Sequence, residues 1–164
     1  MPIRRLRELL DGYQVKYTVI SHSPAYTAQE VAESSHITGK EIAKTIIVEL
    51  DGELTMVVVP ASRDIDFEYL KEETDSEHAE LVKEDQFKDR FPDCEVGAMP
   101  PFGHLYGMKL IVDDRLSQDR EIAFNAGNHR ELVRMRFSDY KRVAEPRILD
   151  LTSFHHKRAT KAKK

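Results

Sequence analysis

Lys44-Thr45-Ile46-Ile47-Val48-Glu49-Leu50-Asp51-Gly52-Glu53-Leu54-Thr55-Met56-Val57-Val58-Val59 is two runs of β-branched and apolar residues on either side of Asp51-Gly52. Branched side chains restrict χ1 and favour strands, and Asp-Gly between two such runs signals a two-residue hairpin. Side chains alternate along a strand, so Lys44 shares a face with Ile46, Val48 and Leu50. Thr45, Ile47 and Glu49 take the other face, and Glu49 marks it as the wetter one. Met56 to Val59 is apolar on both faces, which predicts a central strand. Lys44 therefore stands at the mouth of an apolar face. Its ammonium either snorkels to solvent or is held in a pocket.

The pattern on both sides of the hairpin mixes short helices with short strands. Ile3, Leu6, Leu9 and Leu10 have helical spacing, with Gly12 as the stop. Tyr13, Val15, Tyr17 and Val19 alternate with polar residues and predict a first strand. Thr27-Ala28-Gln29-Glu30 is a capping-box pattern that opens a short helix ending by Gly39. Asp64 or Asp66 caps a helix through Leu70. Residues 79–82 predict a short strand, and residues 84–91 a helix stopped by Pro92. Residues 109–112, 121–125 and 131–137 predict strands, and Ser138 caps a last helix over 139–144 before Pro146. No repeat or low-complexity linker divides the chain. The fold class is α+β, or mixed α/β: hairpins with interspersed helices, not a regular βαβ series.

Gly97-Ala98-Met99-Pro100-Pro101-Phe102-Gly103 packs two glycines and two prolines into seven residues. Glycine permits positive φ and close backbone approach, while proline fixes φ and removes a donor. Alone, such a loop reads as a tight connection between strands. Its free N–H groups also suit a carbonyl oxygen or phosphate.

Ala43-Lys44-Thr45-Ile46-Ile47-Val48, the 97–103 loop and Phe124-Asn125-Ala126-Gly127, taken in this order and spacing, resemble the YbaK/prolyl-tRNA-synthetase-associated editing domain family. Ser21-His22-Ser23-Pro24-Ala25-Tyr26 and Phe137-Ser138-Asp139-Tyr140 fit the same pattern. The resemblance implies one domain over residues 1–154, a curved, largely antiparallel, barrel-like sheet with flanking helices. It also implies hydrolysis of mischarged aminoacyl-tRNA by a free-standing deacylase acting in trans, on a small amino acid. Carried over by motif, Lys44 binds the ester carbonyl or terminal phosphate. Gly97, Ala98, Met99, Pro101, Phe102 and Gly103 form the cradle, and Asn125 with Gly127 orients water or a ribose hydroxyl. Asn125 reads equally as a turn residue. His22 occupies the His-x-Pro turn, where a structural role competes with proton transfer. Some members carry tyrosine just before that turn, whereas this chain has Ile20; Ile20, Tyr26, Met99 and Phe102 are the expected pocket walls. The implied partners are mischarged tRNA and an aminoacyl-tRNA synthetase or elongation factor.

The chain has 164 residues, 40% hydrophobic and 33% charged, which suits one globular domain. No apolar run approaches the roughly 18 residues that span a bilayer. The basic N-terminus lacks a following hydrophobic stretch, so no secretory signal is expected. The single cysteine, Cys94, fits a reducing cytoplasm and lies between Asp93 and Glu95, which disfavour a thiolate. Residues 155–164 hold five Lys/Arg and no acid, leaving 20 basic against 29 acidic side chains in the rest. RNA contact must then come from local basic features, the tail being one, although such charge runs are commonly disordered solubilising ends.

Phosphate-loop, GxSxG and HExxH patterns are missing, and the seven histidines lack ligand spacing, so neither metal nor cofactor is expected. A lysine with backbone N–H donors makes an electrostatic site. It suits an already reactive ester, whose main need is stabilisation of the developing oxyanion. The rival reading is a non-catalytic module that holds tRNA ends or a small ligand in the same cleft.

Overall fold

The structure, a computed structural model, describes residues 1–24, 28–35 and 37–152. Helix α1 (Arg4–Gly12) buries Leu6 and Leu10 completely on its inner stripe. The chain then turns through Gln14 at φ 58°, and the Val15 N–H bonds back to Leu10 O at 3.0 Å. This closure occupies the residues expected to open the first strand. Strand β1 is therefore Tyr17–Ser21, with Val15 already in the core and Tyr13 exposed.

Helix α2 (Ala28–Ser35) leads to β2 (Ile42–Leu50) and β3 (Glu53–Pro60). Asp51 (φ 48°) and Gly52 (φ 86°) are both left-handed, as the favoured two-residue hairpin turn requires. Helix α3 (Phe67–Thr74) is capped by Asp66, whose carboxylate accepts from the Tyr69 N–H at 3.2 Å. Strand β4 (Ala79–Leu81) and the single turn α4 (Glu84–Phe87) follow. The helix expected over 84–91 passes into a 3-10 turn at Lys88–Arg90 instead of continuing. Another 3-10 turn, Gly103–Tyr106, precedes β5 (Lys109–Asp113). The rest is α5 (Asp114–Ser117), β6 (Glu121–Asn125), β7 (Glu131–Arg136), α6 (Phe137–Ala144) and β8 (Arg147–Leu149). Helix α6 begins at Phe137 with Arg136 in the cap position, so Ser138 lies inside it. Strand β8 is an addition to the expected elements.

The strands form one mixed sheet in the order β1-β7-β6-β2-β3-β5-β8, with β4 also on β2. Pairs β1–β7, β6–β7, β2–β3 and β2–β4 are antiparallel. Pairs β2–β6, β3–β5 and β5–β8 are parallel. One face carries the main core: Ala43, Ile47, Met56, Val58, Val112, Ile122, Phe124, Val133 and Met135 pack with α1, α6 and the 97–103 loop. The other face holds two smaller clusters, one around Ile42, Ala123 and Leu132, the other around Val48, Val57, Val59 and Leu70. Ile47 is 1% exposed. The face expected to be wetter is thus the main core, with Thr45 half-buried and Glu49 exposed at its outer end. Both faces of β3 are covered, as expected for a central strand.

Asp113 closes the described end of the chain. Its buried carboxylate accepts from the Leu151 N–H at 3.2 Å and the Thr152 hydroxyl at 2.7 Å. Arg115 joins it to Asp150 at 3.0 Å. The carboxylates of Asp113, Asp114 and Asp150 lie within 4.8 Å of one another, and these donors explain the cluster as an anchor for β8.

Candidate active site

Lys44 stands where the β2 edge is interrupted. On one side β3 pairs with β2 along its length. On the other, β6 pairs only with Ile42 and Ala43, and β4 takes over at Val48, with the Val82 N–H reaching Ile47 O at 3.1 Å. Between them lies a notch in the edge, and Lys44 opens it. Its side chain is 27% exposed; the ammonium donates to Arg63 O at 3.0 Å and lies 3.5 Å from the Asp64 carboxylate. Asp64 is almost fully exposed, so water screens this ion pair and it adds little stability.

Asn125 ends β6. The parallel register Ile42↔Ala123 and Ala43↔Phe124 makes Asn125 the next neighbour of Lys44. By alternation it shares that face with Lys44 and with its own partner Leu132, which pairs in turn with Ile20. Ile20, Leu132 and Ala123 belong to one apolar cluster there. The Asn125 side-chain oxygen is buried with no hydrogen-bond partner among the described residues.

His22 extends the β1–β7 ladder, its N–H donating to Arg130 O at 2.9 Å. Its Nδ1 lies 2.6 Å from Ser23 O; a carbonyl only accepts, so Nδ1 carries the proton. Nε2 is buried and without a partner among the described residues. Tyr26, Thr27 and the basic 155–164 tail lie outside the described residues.

The 97–103 loop is tied to the turn after β6. Glu95 N–H donates to Gly127 O at 2.8 Å, and Gly127 N–H returns to Ala98 O at 3.0 Å. His129 reinforces the joint: its N–H donates to the Glu95 carboxylate at 2.8 Å, and its Nε2–H to Val96 O at 2.7 Å. His129, two residues beyond Gly127, is buried. Gly97 is exposed at φ 86°, and its N–H makes no backbone hydrogen bond among the described residues. The Met99 and Gly103 N–H groups make none either, but those residues are buried, so Gly97 is the exposed donor of the loop.

Met99 and Phe102 do not line a pocket beside Lys44. Both lie in the main core, on the opposite face of the sheet, 3% and 0% exposed. Phe102 meets Phe124 and Tyr140 edge-on at 5.5 and 5.3 Å, because a loop held against the sheet buries its apolar side chains first. Ala98 and Pro101 are buried too, and Pro101 O accepts from the Tyr140 hydroxyl at 2.7 Å. A Cβ on Gly103 would sit 2.6 Å from Met108 O, so close packing accounts for that glycine. Lys44 and Asn125 thus lie on one face, and Ile20 is on the same face three strands across from Lys44. Gly97 and Gly127 are joined to them through the turn, and Met99, Phe102 and Gly103 serve as the loop's anchors.

Two other features stand apart. A cleft of about 550 Å³ opens at the far end of β2, lined by Leu50, Asp51, Thr55, His104, Met108 and Arg147 among others. Leu50 is six residues along an extended strand from Lys44, roughly 20 Å away. Cys94 contacts the Tyr106 hydroxyl at 3.2 Å, and burial pushes its thiol up to about 12. A thiolate nucleophile is therefore not on hand near neutral pH.

The aminoacyl-tRNA editing domain family matches residues 22–143, and the chain belongs to it. It is similar to the Multifunctional Ser/Thr-tRNA deacylase ProXp-y of Escherichia coli (strain K12): 26% identical over 152 residues, covering 90% of each chain. A crystal structure of a candidate trans-editing enzyme for prolyl tRNA synthetase shares the fold at TM-score 0.78, with 17% identity, covering 92% of this chain and 96% of that one. Hypothetical protein APE2540 does so at TM-score 0.80, with 19% identity, covering 92% of this chain and 100% of that one. No helix among the described residues is long and apolar enough to cross a membrane.

Proposed function

We propose that this protein hydrolyses the ester of mischarged aminoacyl-tRNA in trans, and that Lys44 provides the charge that makes the reaction fast. The observation that carries this reading is a partly exposed ammonium at the break in the β2 edge, with Asn125 beside it, in a chain of the editing family.

Water attacks the ester carbonyl, and negative charge grows on its oxygen. The Lys44 ammonium stabilises that charge, with the Gly97 N–H as a second donor. Collapse of the tetrahedral intermediate breaks the bond to the ribose oxygen, which leaves with a proton. Loss of one such donor typically costs about 10²–10³ in rate, so the two account for much of the acceleration. The aminoacyl ester is already activated, and a protein nucleophile is not required.

A small amino acid suits the site, because beyond Asn125 the face shared with Lys44 is filled by Leu132 and Ile20, two and three strands across from Lys44. The relative's Ser/Thr activity makes hydroxyl amino acids the first to test. A cytoplasmic protein of this kind receives its substrate after release from an aminoacyl-tRNA synthetase or from an elongation factor. Deacylation by purified protein across a panel of mischarged tRNAs tests the reading. Hydrolysis confined to esters of small amino acids supports it, and no hydrolysis of any member ends it.

A further inference from the structure

The oxygen of Asn125 is buried without a donor among the described residues, on a face otherwise walled by Leu132, Ala123 and Ile42. Its one cationic neighbour in register, Lys44, directs its ammonium to Arg63 O and Asp64 instead. Buried carbonyl oxygens are almost always paired, and leaving one unmade costs roughly tenfold to a hundredfold in an equilibrium. The aliphatic side chains around it have no proton to give. A bound molecule does.

We propose that Asn125 is a specificity residue whose side-chain oxygen accepts a hydrogen bond from the side-chain hydroxyl of the aminoacyl group. The inference rests on the deacylase reading and goes beyond it by naming the group that is read and the residue that reads it. An ester carbonyl held by Lys44 brings the substrate's Cβ substituent to the next position in register, which is Asn125. A hydroxyl suits that position because it is neutral and donates one proton. The substrate's α-ammonium does not, since the Lys44 cation repels it. An alanyl group leaves the oxygen unpaired and is disfavoured, because a site built around a substrate hydroxyl discriminates strongly against the analogue without it.

The test uses the full chain and two non-hydrolysable probes, the 3′-seryl and 3′-alanyl amides of 3′-amino-3′-deoxyadenosine, with Kd measured by calorimetry. Wild type binds the seryl probe at least about tenfold more tightly. Asn125→Leu, close in volume but with no acceptor, brings the ratio within about twofold, and Asn125→Asp, which keeps an oxygen there, retains the preference. Melting temperatures of the variants establish that they are folded. A wild-type ratio near one, or a ratio unchanged in folded Asn125→Leu, overturns the proposal. An unchanged ratio with both affinities weakened equally overturns it as well, by assigning the oxygen to the ribose 2′-hydroxyl. Seryl-tRNA hydrolysis is followed separately: a protein that keeps the ratio but hydrolyses nothing retains this inference and loses the deacylase reading.

Discussion

Gly127 and Ala98 are joined by an amide-to-carbonyl hydrogen bond of 3.0 Å, which makes the 97–103 loop and the turn after β6 one unit. The contact needs glycine at 127. Its φ is 93°, and a Cβ there would collide with Ile3 Cγ2 and lie 3.1 Å from Ile3 Cγ1. Anything that shifts Gly127 shifts Gly97 and Asn125 together.

Gly127→Ala therefore destabilises the fold by about 2–4 kcal/mol, combining left-handed strain with overpacking against Ile3. Gly12 is the control. A Cβ at Gly12 would meet no atom within 4 Å and its φ is ordinary, so Gly12→Ala is neutral or stabilising by up to about 1 kcal/mol. Urea unfolding of the two variants checks the contrast, and equal midpoints would remove the packing account of Gly127.

Cys94 reacts slowly in the folded chain. Burial, the largest cause, takes its thiol from 9.0 to about 12, with Asp93 adding to the rise and the Tyr106 hydroxyl opposing it. The thiolate population at pH 8 is then lower by up to about a thousandfold than in the unfolded protein. Alkylation with iodoacetamide before and after unfolding measures this, and Cys94→Ser leaves deacylation intact.

The β2–β3 hairpin was legible in the sequence because each local signal agrees: β-branched runs, Asp-Gly between them, and apolar residues on both faces of Met56 to Val59. Lys44 was legible as a strand residue above an apolar face for the same reason. Glu49 misled the reading of the other face, since one charged residue at a strand end says nothing about Ile47 two positions earlier. Met99 and Phe102 were ambiguous in principle. An apolar side chain in a Gly/Pro loop points to a ligand or into the core, and only the contacts with Phe124 and Tyr140 decide between them. Strand β8 has three residues, too few for alternation to register. The placing of Asn125 next to Lys44 follows from the register of Ile42 with Ala123 and Ala43 with Phe124, 81 positions apart in the chain, and no local pattern carries it.

Residues 155–164, with five Lys/Arg and no acid, are expected to add affinity for tRNA through phosphate contacts and to leave amino-acid choice untouched. Deleting them raises KM for tRNA and flattens its salt dependence, with kcat on the preferred substrate held. Steady-state kinetics at several salt concentrations decide this. An unchanged KM and salt slope would move the footprint to the body, where Arg130 and Arg136 are exposed.

The charge of Lys44 is the centre of the account, and single-turnover deacylation by Lys44→Ala tests it most directly. The side chain is partly exposed and its ion pair is screened, so the variant folds with a melting temperature close to wild type. On the wild type's preferred mischarged tRNA, the rate constant falls by about two orders of magnitude, the loss expected for one oxyanion donor. A folded Lys44→Ala protein that deacylates at the wild-type rate would contradict the account and leave Lys44 a strand-end lysine that reaches for solvent.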